Sequence, residues 1–292
     1  MNILGAGQVA AAAVLWGLLG PMGSALNAAG FSGAGVAALR LLVCALVLAC
    51  VLPLWWRRAL AMWRVRPLLA VAHALLGVVA YNLAYFGAVQ RIGVGYAVSL
   101  LYTAPLWVLL FGWLVLGQRP VIRQLMLAGI ALLGVALVVG LIGEAPALAP
   151  FGAALGLAAG ACYALYPVLG QRLMREADPG AVMASSFIIA GLLVAAWPTS
   201  WQAVDRLLYT GSPTLFALVA GISLVGTLGA YVLFTRGLVH VSAPAAAVIA
   251  TLEPVVGIVL AWWWFGDTLT PAQLGGVVLI LAASAASARR SR

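Results

Sequence analysis

The chain has 292 residues, of which 65% are hydrophobic and 7% charged, with a formal net charge of +9. A soluble domain of this length has too little interior to hide so much apolar surface, so a water-soluble globule is excluded. All fifteen basic residues are arginine and fall almost entirely between apolar runs, which suits lipid headgroups and argues against a nucleic-acid partner.

Apolar stretches of about twenty residues recur along the chain, the length at which a helix crosses a ~30 Å hydrocarbon core with its backbone satisfied. They are too long and continuous for barrel strands. The predicted spans are 4–24, 33–54, 67–89, 94–117, 121–142, 151–171, 180–198, 213–238, 241–266 and 271–288. The first begins near Gly5 with no basic residue before it, so it reads as a retained span rather than a cleaved signal peptide. The longest gap, 199–212, leaves no room for a soluble domain. Cys44, Cys50 and Cys162 all lie in spans and imply no disulfide framework. With the N-terminus inside, twelve arginines fall on inner connections, two (Arg91 and Arg206) outside, and Arg40 within a span. That bias predicts both termini in the cytoplasm. The expected class is therefore all-α integral membrane, ten transmembrane helices.

Taken in chain order, the first span carries Trp16 and Pro21. Arg40 lies about two turns inside the outer end of the second, free either to bind a substrate carboxylate with its fork or to snorkel to headgroups. On the third, His73, Gly77, Tyr81 and Tyr85 step by four onto one stripe, with Asn82 at its edge. His73 has the chemistry to titrate near neutral pH, but a lone histidine near a helix end is more often structural. On the fourth, Tyr96, Ser99, Tyr102, Thr103 and Trp107 share a face; the sixth carries Tyr163 and Pro167, and the small pair Gly156 and Gly160 suited to close packing. The eighth has Ser223, Thr227, Tyr231 and Thr235 on one face. Rings and hydroxyls on coherent faces suit a cavity for a small, partly apolar solute, although each hydroxyl has an alternative use in helix packing. Glu253 sits near mid-span in the ninth, where a carboxylate costs about 2.5–3.5 kcal/mol and needs pairing, protonation or water. It is a candidate for proton coupling or for a substrate ammonium. The small residues Ala246, Ala250 and Gly257 on its side of the helix favour a packing role instead. Pro105 and Pro254 are expected to kink gates rather than touch solute.

The chain repeats itself. A shift of 149 pairs Pro105 with Pro254, Tyr85 with Phe234, Trp113 with Trp262, Gly117 with Gly266, and Gln124-Leu125 with Gln273-Leu274. The second and seventh spans match nearby, Gly35 with Gly180 and Pro53 with Pro198, and Trp16…Pro21 loosely matches Tyr163…Pro167. Two units, 1–146 and 147–292, each have five spans. Five is odd, so the second unit enters from the opposite side, giving a 5+5 inverted repeat around a central cavity, the architecture of alternating access.

The segment Ala97…Leu100-Leu101-Tyr102-Thr103-Ala104-Pro105-Leu106…Leu116-Gly117-Gln118 returns as Leu252-Glu253-Pro254-Val255-Val256…Phe265-Gly266-Asp267. Together with Trp16-Gly17 it resembles the drug/metabolite transporter superfamily, and within it the ten-helix EamA-type exporters, over nearly the whole chain. Gln118 and Asp267 stand where that family often carries a glutamate. The resemblance implies a multi-pass protein of the bacterial inner membrane that exports small metabolites, foremost amino acids including aromatic and apolar ones, with proton coupling as one option. Carriage of phosphorylated sugars, nucleotide-sugars or lipid-linked groups is the alternative, disfavoured because Arg40 alone is available to a phosphate. A non-transporting scaffold is the other. No P-loop, metal-spaced cluster or nucleophile–base pair is visible, so neither ATP driving, an enzyme activity nor a cofactor is expected.

Overall fold

The computed structural model describes residues 3–141, 149–265 and 268–289. The expected unit junction at 146/147, the pair Gly266-Asp267 and the tail arginines Arg290 and Arg292 lie outside the described residues. All regular structure among the described residues is helical. The spans run Ile3–Ala28, Gly33–Cys50, Pro67–Leu101 (third span and start of the fourth), Ala104–Leu116, Ile122–Val138, Pro150–Leu173, Pro179–Ala195, Pro213–Leu238, Ala243–Leu260 and Pro271–Ala288. The third and fourth spans are one helical stretch turned at Gly93, whose φ of 78° only glycine adopts without strain.

The interruptions have local causes, and they recur in both units. Pro105 and Pro254 each sit in the first turn of a helix that restarts after a break, at Tyr102–Thr103 in the fourth span and at Thr251 in the ninth. Proline cannot donate to the carbonyl four residues back. A threonine hydroxyl bonds a nearby carbonyl at each break: Thr103 to Leu100 and Thr251 to Val248, both at 2.6 Å. Wide π turns occupy Leu75–Ala80 in the third span and Gly221–Gly229 in the eighth. Gln124 and Gln273 accept from the backbone N–H of Val121 and Thr270, capping the fifth and tenth spans identically.

The units pack on each other rather than side by side. Gly5 and Val9 of the first span meet Gly237 of the eighth, and Gly77 of the third meets Tyr166 of the sixth. In the fifth and tenth, Arg123 reaches Ala286, Gly134 abuts Gly276, and Val138 takes the Gln273 amide, so these matched helices run antiparallel. The second and seventh also run antiparallel, with Ala34 and Ala37 sharing a cavity wall with Val194, and Leu41 and Ala45 against Gly191. Matched helices of opposite direction are what an inverted repeat requires.

Two amphipathic helices lie outside the spans, one in each unit after its second span. Trp56–Val65 carries Arg57, Arg58 and Arg64. Pro198–Thr210 leaves the seventh span at 89° and occupies most of the longest gap between spans. Each grips the other unit's first connection. Arg58 pairs with Asp178 at 3.5 Å and Arg66 with Glu176 at 2.9 Å. Arg206 donates to the carbonyl of Ala29 at 2.9 Å and lies over the Phe31 ring.

Candidate functional site

Between the units lies a chamber of about 630 Å³. Trp16, Gly17, Gly20 and Gly23 of the first span, Arg40 of the second, Tyr81 and Tyr85 of the third, and Tyr102 of the fourth line it, with Glu253, Pro254 and Gly257 of the ninth opposite. At one end its lining reaches the exposed Ser24 and Asn27. The other end is stopped by packed rings. Trp16 lies 5.2 Å from Tyr231 and 5.0 Å from Phe234, and Phe187 and Tyr166 close on Tyr231 at 4.8 and 5.0 Å.

Arg40 and Glu253 are the only charged side chains among the described residues that line the chamber. Tyr102 lines the same chamber as Glu253, close enough for its hydroxyl to bear on the carboxylate. Arg40 feels the carboxylate's field but stands beyond the 4.0 Å of an ion pair, and its Nε is buried with no hydrogen-bond partner. Glu253 therefore faces open space, not the close helix packing that Ala246, Ala250 and Gly257 suggested. The physical reason is visible at Gly257, where an added Cβ would meet nothing within 4 Å. Lacking a side chain, Gly257 leaves the space beside Glu253 open.

Several predicted lining residues are placed elsewhere. The eighth-span stripe turns into the protein: Thr227 is buried and donates to Ile222 O at 2.8 Å, and Ser223 donates to Val219 O at 2.6 Å. Tyr231 belongs to the ring plug. Ser99 donates to Gly95 O at 3.0 Å, and Thr103, besides bonding Leu100, receives the Trp107 indole N–H at 3.1 Å. An added Cβ on Gly160 would come within 2.8 Å of the Thr103 hydroxyl, so Thr103 serves packing against the sixth span. Such hydroxyls return to their own helix because a free carbonyl lies within reach. Tyr163 stands between Trp16 and Tyr81, at 6.4 and 5.3 Å, with its hydroxyl buried and unbonded.

Asn82 faces a second cavity of about 310 Å³, bounded by the second and third spans and the start of the helix Pro198–Thr210, and donates to Val78 O at 2.7 Å. Phe86 lines both cavities. His73 is fully buried, Nδ1 2.7 Å from Ser186 Oγ and Nε2 3.1 Å from Tyr166 O. Nε2 donates to the Tyr166 carbonyl and Nδ1 meets the Ser186 hydroxyl, so the ring bridges the two units. Pro105 lies at a tight crevice near Arg123, whereas Pro254, expected only to kink, forms part of the chamber wall. The sequence reading missed Ser24, Asn27 and the glycines Gly20 and Gly23, although polar and small residues following Trp16 on one helix carried a signal.

The EamA-like transporter family model matches twice, over residues 3–140 and 150–288. The threonine/homoserine exporter RhtA of Escherichia coli K12 is 31% identical over 253 residues, 87% of this chain and 81% of that protein. An uncharacterized transporter of Archaeoglobus fulgidus is 29% identical over 212 residues, 71% of this chain and 73% of that one. A solved crystal structure superposes with a TM-score of 0.75 at 20% identity, over 99% of this chain and 97% of the other, which speaks to fold alone. With both halves matched, the chain belongs to the EamA-like transporter family of the drug/metabolite transporter superfamily, small-molecule exporters embedded as multi-pass proteins in the inner membrane.

Proposed function

We propose that this protein exports amino acids, apolar and aromatic ones among them, by alternating access through the chamber between its two units. The chamber carries the reading. It sits where the units meet, its walls combine rings and small residues with one arginine and one glutamate, and it is open at one end and plugged at the other. Such pockets bury carbon and use a few polar groups for orientation. The likeness to a threonine/homoserine exporter supports the amino-acid class. With both termini in the cytoplasm, as the arginine distribution suggests, the ring plug closes the inner side and the solute leaves outward. A single arginine is a poor host for phosphorylated cargo, which usually takes several cations.

Glu253 is the proposed proton carrier. Glu253→Gln is expected to slow export and flatten its dependence on a pH gradient; an unchanged rate and pH profile assigns coupling elsewhere. The decisive measurement is flux of a labelled amino-acid panel from proteoliposomes, with and without a pH gradient. Absence of saturable flux across the panel rejects the exporter reading.

A further inference from the structure

We infer that Arg40 and Glu253 form a single recognition site for a zwitterionic head group, Arg40 taking the carboxylate and Glu253 the ammonium. This rests on the exporter reading and goes beyond it, because it makes the head group, rather than the side chain, the feature that defines a substrate.

Four observations converge. The two residues come from opposite units yet line one chamber, and no other charged side chain among the described residues does so. They are oriented into the same space without forming an ion pair with each other. Arg40 keeps a buried donor, Nε, with nothing to bond. Tyr102 shares the chamber wall with Glu253, and Gly257, one turn on, leaves the approach to the carboxylate open.

Charges in a low-dielectric cavity are expensive when uncompensated. An anion bound at Arg40 compensates the guanidinium but places like charge near Glu253. A cation at Glu253 does the reverse. A ligand with both signs one carbon apart balances both residues at once, and a guanidinium fork suits a carboxylate. Phe31, Val36, Val98 and Ile222 give the chamber an apolar face for the ligand's side chain, beside the polar groups of Ser24, Asn27 and the tyrosines. The site is therefore strict about the head group and tolerant of apolar side chains.

The test uses the full-length protein with three matched probes: leucine, leucinamide (no carboxylate) and 4-methylpentanoate (no amine). Binding is read as the shift in Tm of purified protein and transport as proteoliposome flux. Leucine is expected to stabilise and be carried, and each analogue to fall about tenfold or more, since it leaves one buried charge unmatched. Arg40→Gln is expected to weaken leucine and erase the preference over leucinamide, and Glu253→Gln to erase the preference over 4-methylpentanoate. Arg40→Lys and Glu253→Asp should keep part of each preference. Equal treatment of all three probes by the wild type, or unaltered preferences in folded variants, overturns the inference while leucine flux leaves the exporter reading standing. Loss of flux and of Tm shift for every amino acid overturns both. Should a variant fail to fold, the wild-type series alone decides.

Discussion

His73 ties the third span to the sixth and seventh through both of its ring nitrogens. On the helical stripe it looked like a partner of Tyr81 and Tyr85, but its ring is wedged between Ser186 and Tyr166 of the other unit. His73→Ala would strand the Tyr166 carbonyl and leave a void, at a cost of about 1–3 kcal/mol for the lost polar partner. A lower Tm with an unaltered pH profile of transport is the expected outcome; a shifted profile would return His73 to the coupling machinery. Helical spacing correctly grouped Tyr81 with Tyr85 because period alone determines a shared face. It could not say which stripe faces the chamber and which the neighbouring helix. Thr227 and Thr103 were lost for that reason, and Gly20, Gly23 and Gly257 because a residue that contributes space has no chemistry to notice.

At the scale of elements, the glycine contacts separate rigid from yielding interfaces. A Cβ on Gly276 would lie 2.6 Å from Gly134 O and 2.9 Å from Val138 N, both backbone. On Gly226 it would meet only the Leu19 Cδ2 tip, at 2.5 Å. Gly276→Ala is therefore expected to cost about 1–3 kcal/mol by forcing the fifth and tenth helices apart, and Gly226→Ala markedly less, as Leu19 swings aside. Thermal melts of the two purified variants check the order, and equal Tm values would contradict it. The spans themselves were legible because hydropathy and length act locally. The π turns were not, since neither hydropathy nor length marks where a helix widens. The amphipathic helix Pro198–Thr210 was missed in a gap judged by hydropathy alone; its residues satisfy two environments at once and average to neither.

For the whole molecule, the repeat was the most readable property, since identical offsets return as identical jobs: Gln124 and Gln273 cap, Pro105 and Pro254 restart helices. The same symmetry relates Phe234, in the ring plug, to Tyr85, on the chamber wall. On the plugged side the units are also tied at the surface, where Arg66 holds the Glu176 carboxyl below its ordinary range through hydrogen bonding and charge. A depressed carboxyl stabilises the fold above its unfolded pKa of about 4.3 and loses that contribution as pH falls through the folded value. Glu176→Gln is thus expected to lower Tm slightly at pH 7 and progressively less as pH falls through the folded carboxyl's depressed pKa. A Tm gap that persists in acid would place the effect in packing rather than charge.

The interlocking of the units also constrains biosynthesis. Helices three and one find their closest mates, six and eight, in sequence that the ribosome has yet to translate, so early segments must wait as separate inserted rods. Compaction becomes a late event that depends on both orientations of insertion being achieved. Two co-expressed fragments, cut between the repeats, would then be expected to assemble into a working carrier, while either fragment made by itself would remain loose in the lipid.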